Sequence, residues 1–284
     1  MKTFGLITNP LIQKYLQKAN NLSFISGEKI PLFKDKKSYF LGGHKSFYHL
    51  IKDTNENEII DLIDSYKSKY NNINCLISLP FKIDDSKLVN YILTLNNLTD
   101  SEKRFDIYEK KTRNLVRKSY KNDFNIEIGK VPNEFYKLYE SSLSRLGGIS
   151  KSKEWFKEIG KSLPDNIIVF SLFKKEELIA ANYCLYSDKY IFLMFNVSNP
   201  DYWEYATNDR LYDELIKWAI ENSFEHVDFG PGVASDDSHN HFKAGFGAKR
   251  WYILNKHYGT LYYRFKAFFR TKKHNFKIRL NKFK

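Results

Sequence analysis

Over the first hundred residues, short apolar runs alternate with polar breaks. The runs predict strands at Ser38 to Leu41, at Asn74 to Leu79 and at Tyr91 to Leu95, with a helix from about Glu56 to Tyr70. That order predicts a small α/β unit. Thr99-Asp100-Ser101-Glu102 reads as a capping box, with Thr99 accepting from the backbone and Glu102 reaching back. A long helix should follow to about Lys121. Arg113, Arg117, Lys118 and Lys121 recur on it at spacings of three or four, which predicts a cationic face.

Asp123 to Lys130 reads as a strand and a hinge into a second unit. Pro132 suits the first turn of a helix running to about Arg145. Ser152 to Leu163 predicts another, with Trp155, Phe156, Ile159 and Leu163 on one side. Strand-like runs at Ile167 to Phe173, Leu178 to Tyr186 and Tyr190 to Val197, joined by Lys174-Lys175-Glu176 and Ser187-Asp188, predict an antiparallel meander. A loop after Asn199-Pro200 leads to a helix from Asp209 to Asn222 that buries Leu211, Leu215, Trp218 and Ala219. From residue 225 to 252 the pattern predicts a short buried strand ending at Phe229, a glycine-broken loop, a helical turn and a last strand. Ionisable groups then stand at a strand's carboxyl end, where open α/β sheets tend to bind ligands.

Composition narrows the class. With 284 residues, 42% hydrophobic and 17% aromatic, the chain can bury a large core in one large domain or two. The apolar run at Met1 to Ile7 is too short for a signal peptide, and no uncharged stretch approaches the roughly 18 apolar residues of a spanning helix. The expected location is cytoplasmic. Cys75 and Cys184 lie far apart in apolar runs, so they read as buried hydrophobes in a reducing compartment.

The net charge of +13 is concentrated at one end, because Lys256 to Lys284 holds ten Lys or Arg and no Asp or Glu. Tyr258, Tyr262, Tyr263, Phe265, Phe268, Phe269, Phe276 and Phe283 interleave with those cations. The tail suits an anionic membrane surface, which would make the protein peripheral to the inner membrane face. It suits RNA phosphates with stacking bases equally well, or a helix whose rings pack on the domain while its charges stay solvated.

The predicted order of elements resembles the Gcn5-related N-acetyltransferase (GNAT) fold. Thr112-Arg113-Asn114-Leu115-Val116-Arg117-Lys118, Phe135-Tyr136 with Arg145-Leu146-Gly147, and Val227-Asp228-Phe229-Gly230 followed by Phe242-Lys243-Ala244-Gly245-Phe246-Gly247 resemble motifs of the FemAB-like acyltransferases. The likeness covers residues 100 to 258, and the first hundred residues only by length and by Gly42-Gly43. It implies an α/β (α+β) chain of tandem GNAT-like domains with mixed, mostly antiparallel sheets flanked by helices. These are a degenerate domain over 1–127 ending in the basic helix, an acyltransferase domain over 128–258 and the tail over 259–284. It further implies transfer of an aminoacyl group from charged tRNA to an amine on a peptidoglycan precursor, or acylation of a similar envelope substrate such as a polysaccharide. No metal and no tightly held cofactor is implied.

Two donors stay open, aminoacyl-tRNA and acyl-CoA. Acetyl-CoA enzymes of this fold carry an Arg/Gln-x-x-Gly-x-Gly/Ala loop whose amides cradle a pyrophosphate. The matching stretch here, Asn196 to Asn208, holds no glycine and carries Asp201 and Glu204, which disfavours CoA in that pose.

Acyl transfer needs a nucleophile, a destination for its proton and donors for the tetrahedral oxyanion. Lys243 is the first candidate oxyanion donor, or else a surface Lys beside packing aromatics. Asp228 either orients the attacking amine or caps the turn before Gly230. His241 reads as a proton acceptor or as a solvated loop residue. Arg113 and Arg117 can clamp an acceptor's pyrophosphate with guanidinium forks, or else form a solvated helix face. Tyr205 and Asn208 can bind an anion or carbonyl at a helix start, or serve as a loop aromatic and a cap. Phe242 is placed beside the substrate. Asp236, His239 and His241 lack a fixed Cys/His spacing for zinc, and Ser235 to His241 reads as a mobile polar loop over the site. No Walker loop, Rossmann fingerprint or nucleophile elbow is present, which sets those enzyme classes aside. A non-catalytic RNA- or membrane-binding module is the remaining alternative.

Overall fold

The computed structural model describes residues 2–35, 38–44, 47–83, 86–96 and 98–259. The basic tail beyond Gly259 lies outside the described residues. In chain order the first elements are β1 (Lys2–Phe4), α1 (Pro10–Asn20), β2 (Ser23–Ile25), β3 (Leu32–Asp35), β4 (Ser38–Leu41), β5 (His49–Lys52), α2 (Glu56–Lys69), β6 (Ile73–Leu79) and β7 (Leu88–Thr94). There follow α3 (Arg104–Ile107), α4 (Lys110–Ser119), β8 (Asn125–Gly129), α5 (Phe135–Arg145), α6 (Lys153–Ser162), β9 (Ile167–Lys174), β10 (Glu177–Ser187) and β11 (Tyr190–Ser198). The last are α7 (Thr207–Glu221), β12 (His226–Val233), α8 (Asp237–Gly245) and β13 (Lys249–Tyr258). Among the described residues two compact units emerge, one of residues 1–90 with 231–236 and 250–259, the other of residues 91–230 with 237–249.

In the first unit β6 pairs in parallel with β4 and β5 and antiparallel with β13, while β2, β3 and β4 form a meander. α2 starts where the Asn55 side chain accepts from Glu58 N–H at 3.0 Å, and it turns Ile59, Ile63 and Tyr66 inward onto Ile73, Cys75 and Ile77. Burial pushes the Cys75 thiol up to about 12, so it is inert at neutral pH. Gly43 sits so close to the Phe47 carbonyl that a Cβ there would lie 2.2 Å from its oxygen, an approach that only glycine permits. α1 has no counterpart among the elements predicted from the pattern. Asn9 caps it, Pro10 opens it and only Ile12, Tyr15 and Leu16 are buried, a stripe too narrow to stand out.

In the second unit β9 to β11 form the expected antiparallel meander, β8 extends it by pairing antiparallel with β9, and β12 joins β11 in parallel. Phe135 and Tyr139 of α5 and Phe156 of α6 pack on Tyr183 and Phe195 of one sheet face. Trp218 of α7 packs on Phe170. α7 is buried nearly all round, including Asp209, Asp213 and Glu214.

Several expectations need correction. The helix predicted from Thr99 to Lys121 is broken: Asp100, not Thr99, caps a 3-10 turn, and Tyr108 and Glu109 are extended between α3 and α4. The break has a cause, since Glu109 N–H donates to the Gly245 carbonyl at 2.8 Å and Tyr108 turns its hydroxyl to Asp213 at 2.9 Å. α5 begins at Phe135, because Pro132 opens a turn closed by Phe135 N–H. Pro200–Tyr205 is a 3-10 helix, not a loop. β12 continues through the glycines to Val233, and most of the loop predicted over 235–241 is the start of α8.

Candidate active site

β12 pairs with β11 for only three residues, ending at Phe192 opposite Asp228. Beyond that point β11 has an extra residue at Met194, because Tyr183 pairs with Phe195 and Cys184 with Leu193. Asp228 is wholly buried at this junction. Its Oδ1 accepts from Gly230 N–H at 2.8 Å and its Oδ2 from the Tyr190 hydroxyl at 2.5 Å. The carboxylate thus holds the turn, as the capping alternative expected. Gly230 has φ +75° and an added Cβ would stand 2.8 Å from the Leu193 carbonyl oxygen, so only glycine fits. Its own carbonyl accepts from Lys243 Nζ at 2.9 Å. Lys243 is 9% exposed, so it is not a surface lysine.

α8 reaches this position through aromatic packing. Phe242 stands edge-on to Tyr212 of α7 at 4.9 Å, and Phe246 stacks on the same ring at 5.3 Å. At the same C-terminal end of α8, an added Cβ on Gly245 would lie 2.3 Å from Thr112 Oγ1, so the first turn of α4 lies against α8. Arg113 is half-buried and donates to the Phe105 carbonyl at 3.3 Å, whereas Arg117 is exposed with its guanidinium 5.7 Å from the Phe105 ring. The expected cationic face is therefore divided, one arginine engaged with backbone and the other open to solvent.

α4 is fastened to α7 by a largely buried network that the local sequence pattern does not signal. Arg104 donates to both oxygens of Asp213, Nε to Oδ1 at 2.8 Å and Nη2 to Oδ2 at 3.1 Å. Tyr108 and Tyr120 donate to the same carboxylate at 2.9 and 2.7 Å, and Tyr120 also reaches Glu214 at 3.0 Å. Burial alone would lower the Arg104 pKa, but the Asp213 bonds more than offset it and the guanidinium is held charged. In sequence these residues look like the polar face of an amphipathic helix and a capping segment.

At the start of α7, Ala206 is left-handed with φ +56° and no side chain caps the helix. Asn208 Oδ1 accepts from Asn196 Nδ2 at 3.3 Å, and the same amide donates to Asn182 Oδ1 at 2.8 Å. Asn182 Nδ2 and Thr207 Oγ1 are buried with no hydrogen-bond partner among the described residues. Tyr205 meets Phe124 edge-on at 6.0 Å and has Lys174 5.2 Å above its ring. Asp209 in the first turn of α7 is also buried, although in sequence an acidic residue at that position is an ordinary local signal.

The structure therefore gathers Lys243, Phe242 and Asp228 where β12 meets α8, brings the N-terminal turn of α4 against α8, and sets Tyr205 and Asn208 at the start of α7. His241 is exposed on α8. Among the described residues no group of three or more His, Cys, Asp or Glu is placed to hold a metal ion. A cavity of about 350 Å³ lined by Glu134, Lys137, Ser141, Glu177 and Asn199 involves none of the predicted site residues. Among the described residues no helix is long and apolar enough to cross a membrane.

Comparison with known proteins bears on the fold and the domain that carries this site. Residues 111–244 match the model of the acetyltransferase (GNAT) domain. A UDP-N-acetylmuramoylpentapeptide-lysine N(6)-alanyltransferase from Weissella viridescens is 26% identical over 177 residues, which is 58% of this chain and 51% of the relative. The chain thus spans about half the length of that curated relative. Among solved structures, FemX superposes with a TM-score of 0.61 at 12% identity, covering 90% of this chain and 98% of FemX. The C-terminal domain of a putative lysylphosphatidylglycerol synthetase from Agrobacterium fabrum gives 0.52 at 13% identity, over 84% and 85% of the two chains. At these identities the structures establish the shared fold. Family model and fold agree that residues 111–244 form an acyltransferase domain of GNAT type, and in sequence and fold the chain is similar to the FemAB-like acyltransferases.

Proposed function

We propose that the chain is an aminoacyltransferase that moves an aminoacyl group from charged tRNA to an amine on a phosphate-bearing peptidoglycan precursor. The observation that carries this reading is the buried Lys243, held by the Gly230 carbonyl where β12 meets α8. An ammonium fixed there is preorganised to stabilise an oxyanion without reorienting during the reaction. The acceptor nitrogen attacks the ester carbonyl, the Lys243 ammonium stabilises the tetrahedral oxyanion, and collapse breaks the bond to the ribose oxygen. The proton lost by nitrogen ends on that leaving oxygen through solvent, since the exposed His241 stands two residues from Lys243 on α8 and faces away from it. Asp228 holds the Gly230 turn and so positions Lys243. Arg117 meets the acceptor's phosphates and Arg113 supports the segment that carries it.

The choice of donor rests on the approach to α7. The 3-10 helix Pro200–Tyr205 exposes Asp201 and Glu204 and contains no glycine, which is unfavourable for a pyrophosphate. The named activity of the Weissella viridescens relative, alanyl transfer to a lysine side chain, points to the same chemistry. Phosphate contacts from the basic tail would strengthen tRNA binding at the cytoplasmic membrane face. The test is to incubate the protein with labelled alanyl-tRNA and a lysine-containing UDP-linked muramoyl pentapeptide, and separately with acetyl-CoA and the same acceptor. Acceptor-dependent loss of the ester with amide formation supports the proposal. Consumption of the thioester instead would move the protein to acyl-CoA chemistry, and binding of RNA or lipid without any transfer would leave only the binding-module reading.

A further inference from the structure

Two aspartates one turn apart on α7 are treated in opposite ways. Asp213 is wholly buried and accepts from Arg104, Tyr108 and Tyr120. Asp209 is 8% exposed, yet among the described residues no cation stands within ion-pair distance and no other side chain hydrogen-bonds to it. Burial raises its carboxyl to about 6, opposed only by its own backbone N–H and the more distant Lys111 ammonium on α4. An isolated buried carboxylate is unfavourable to the folded state, and such groups concentrate at functional sites. The uncapped start of α7 does not require this residue in particular, since polar caps of several kinds would serve it.

Its surroundings match the transfer site. Asp209 precedes Tyr212 by three residues, so the two share one face of α7, and the Tyr212 ring packs on Phe242 and Phe246 of α8. Lys111 adjoins Thr112, the residue in close approach to Gly245. Asp209 thus lies on the helix that packs on α4 and, through Tyr212, on the helix that carries Lys243. A ligand that pairs with its carboxylate must be cationic and small enough to enter a nearly closed position.

We propose that Asp209 anchors a primary ammonium of the substrate, the group that distinguishes an aminoacyl donor from a plain acyl donor. This rests on the aminoacyltransferase reading above. A charge-assisted N–H···O bond would hold the α-ammonium and aim the neighbouring ester carbonyl. The acceptor's side-chain ammonium is a second source of the same chemistry, and the experiment separates the two.

The Asp209 carboxyl is followed by carbon-13 NMR in the full chain with L-alaninamide, with N-acetyl-L-lysinamide and with neutral L-lactamide. In parallel, transfer rates from alanyl-tRNA and lactyl-tRNA are compared in wild type and D209N. The expected result is that alaninamide moves the carboxyl titration to lower pH and lactamide does not. Wild type should prefer the alanyl over the lactyl donor by at least tenfold, with the preference collapsing in D209N. A shift by acetyl-lysinamide alone assigns the ammonium to the acceptor. D209N should keep or raise the urea midpoint at pH 7.5, whereas a purely structural cap would lower it. The proposal is overturned if no ammonium probe moves the titration and the donor preference is the same in both proteins. Should alaninamide bind at Asp209 while no aminoacyl-tRNA is consumed, the ammonium site stands and the donor reading falls.

Discussion

Replacing Asp213 with asparagine removes the charge at the centre of the network that fastens α3 and α4 to α7, with almost no change in shape. The native carboxylate accepts four hydrogen bonds, two from Arg104 and one each from Tyr108 and Tyr120, all between 2.7 and 3.1 Å. An asparagine there presents one acceptor and turns an NH₂ towards a donor, so at least one buried donor is orphaned. The Arg104 guanidinium, with its side chain 4% exposed, also loses its buried counter-ion. Breaking one member of such a pair costs roughly 3–5 kcal/mol, because the remaining charge stays desolvated. At about 2–4 °C per kcal/mol for a chain of this size, Tm should fall by roughly 6–20 °C. Urea unfolding followed by far-UV circular dichroism measures the loss directly. Y120F, which removes a single hydroxyl, should cost only about 1 kcal/mol. If D213N unfolds within 1 kcal/mol of wild type, the network is not what fastens α4 to α7.

Lys243→Met should lower transfer turnover at least tenfold, about 1.4 kcal/mol in the transition state, with little change in acceptor KM; an unchanged kcat in a rapid-quench assay removes the lysine from the chemistry. Gly245→Ala should impair both folding and transfer, since its Cβ would meet Thr112 Oγ1 at 2.3 Å, and Thr112→Ala in the same chain should recover part of the loss in both assays. His49 is buried with neither ring nitrogen hydrogen-bonded among the described residues, and burial lowers its pKa to about 4. Because the unfolded chain takes up that proton at about pH 6.5, the stability is fully present above that pH and is lost towards pH 4, roughly 2 kcal/mol of it by pH 5. Urea midpoints at pH 7.5 and 5 should differ by less in His49→Leu than in wild type.

The strands of the second unit were legible because they are long runs of β-branched and aromatic residues, each turned by a short polar segment. α6 was legible for a similar reason, with Ser152 capping a stripe of Trp155, Phe156 and Ile159. What could not be read were features set by a partner distant in sequence. The break at Tyr108 and Glu109 depends on Gly245 and Asp213, more than a hundred residues away, and locally the segment is a good helix. Asp209 and Asp213 have the same local pattern, and only packing gives one a set of donors and leaves the other isolated. The motif context singles out Lys243 and Asp228 as candidates, but the burial of both and their shared link to Gly230 need the fold. Spacing correctly put Arg113 and Arg117 on one helix and could not show that Phe105 divides their roles.

The most direct test of the account is a single-turnover measurement with labelled alanyl-tRNA and a lysine-containing muramoyl pentapeptide, in wild type and Lys243→Met. The account predicts acceptor-dependent formation of an alanyl amide by wild type, slowed at least tenfold by the substitution while tRNA binding is retained. Equal rates in the two proteins, or acyl transfer from acetyl-CoA but none from the charged tRNA, would contradict it.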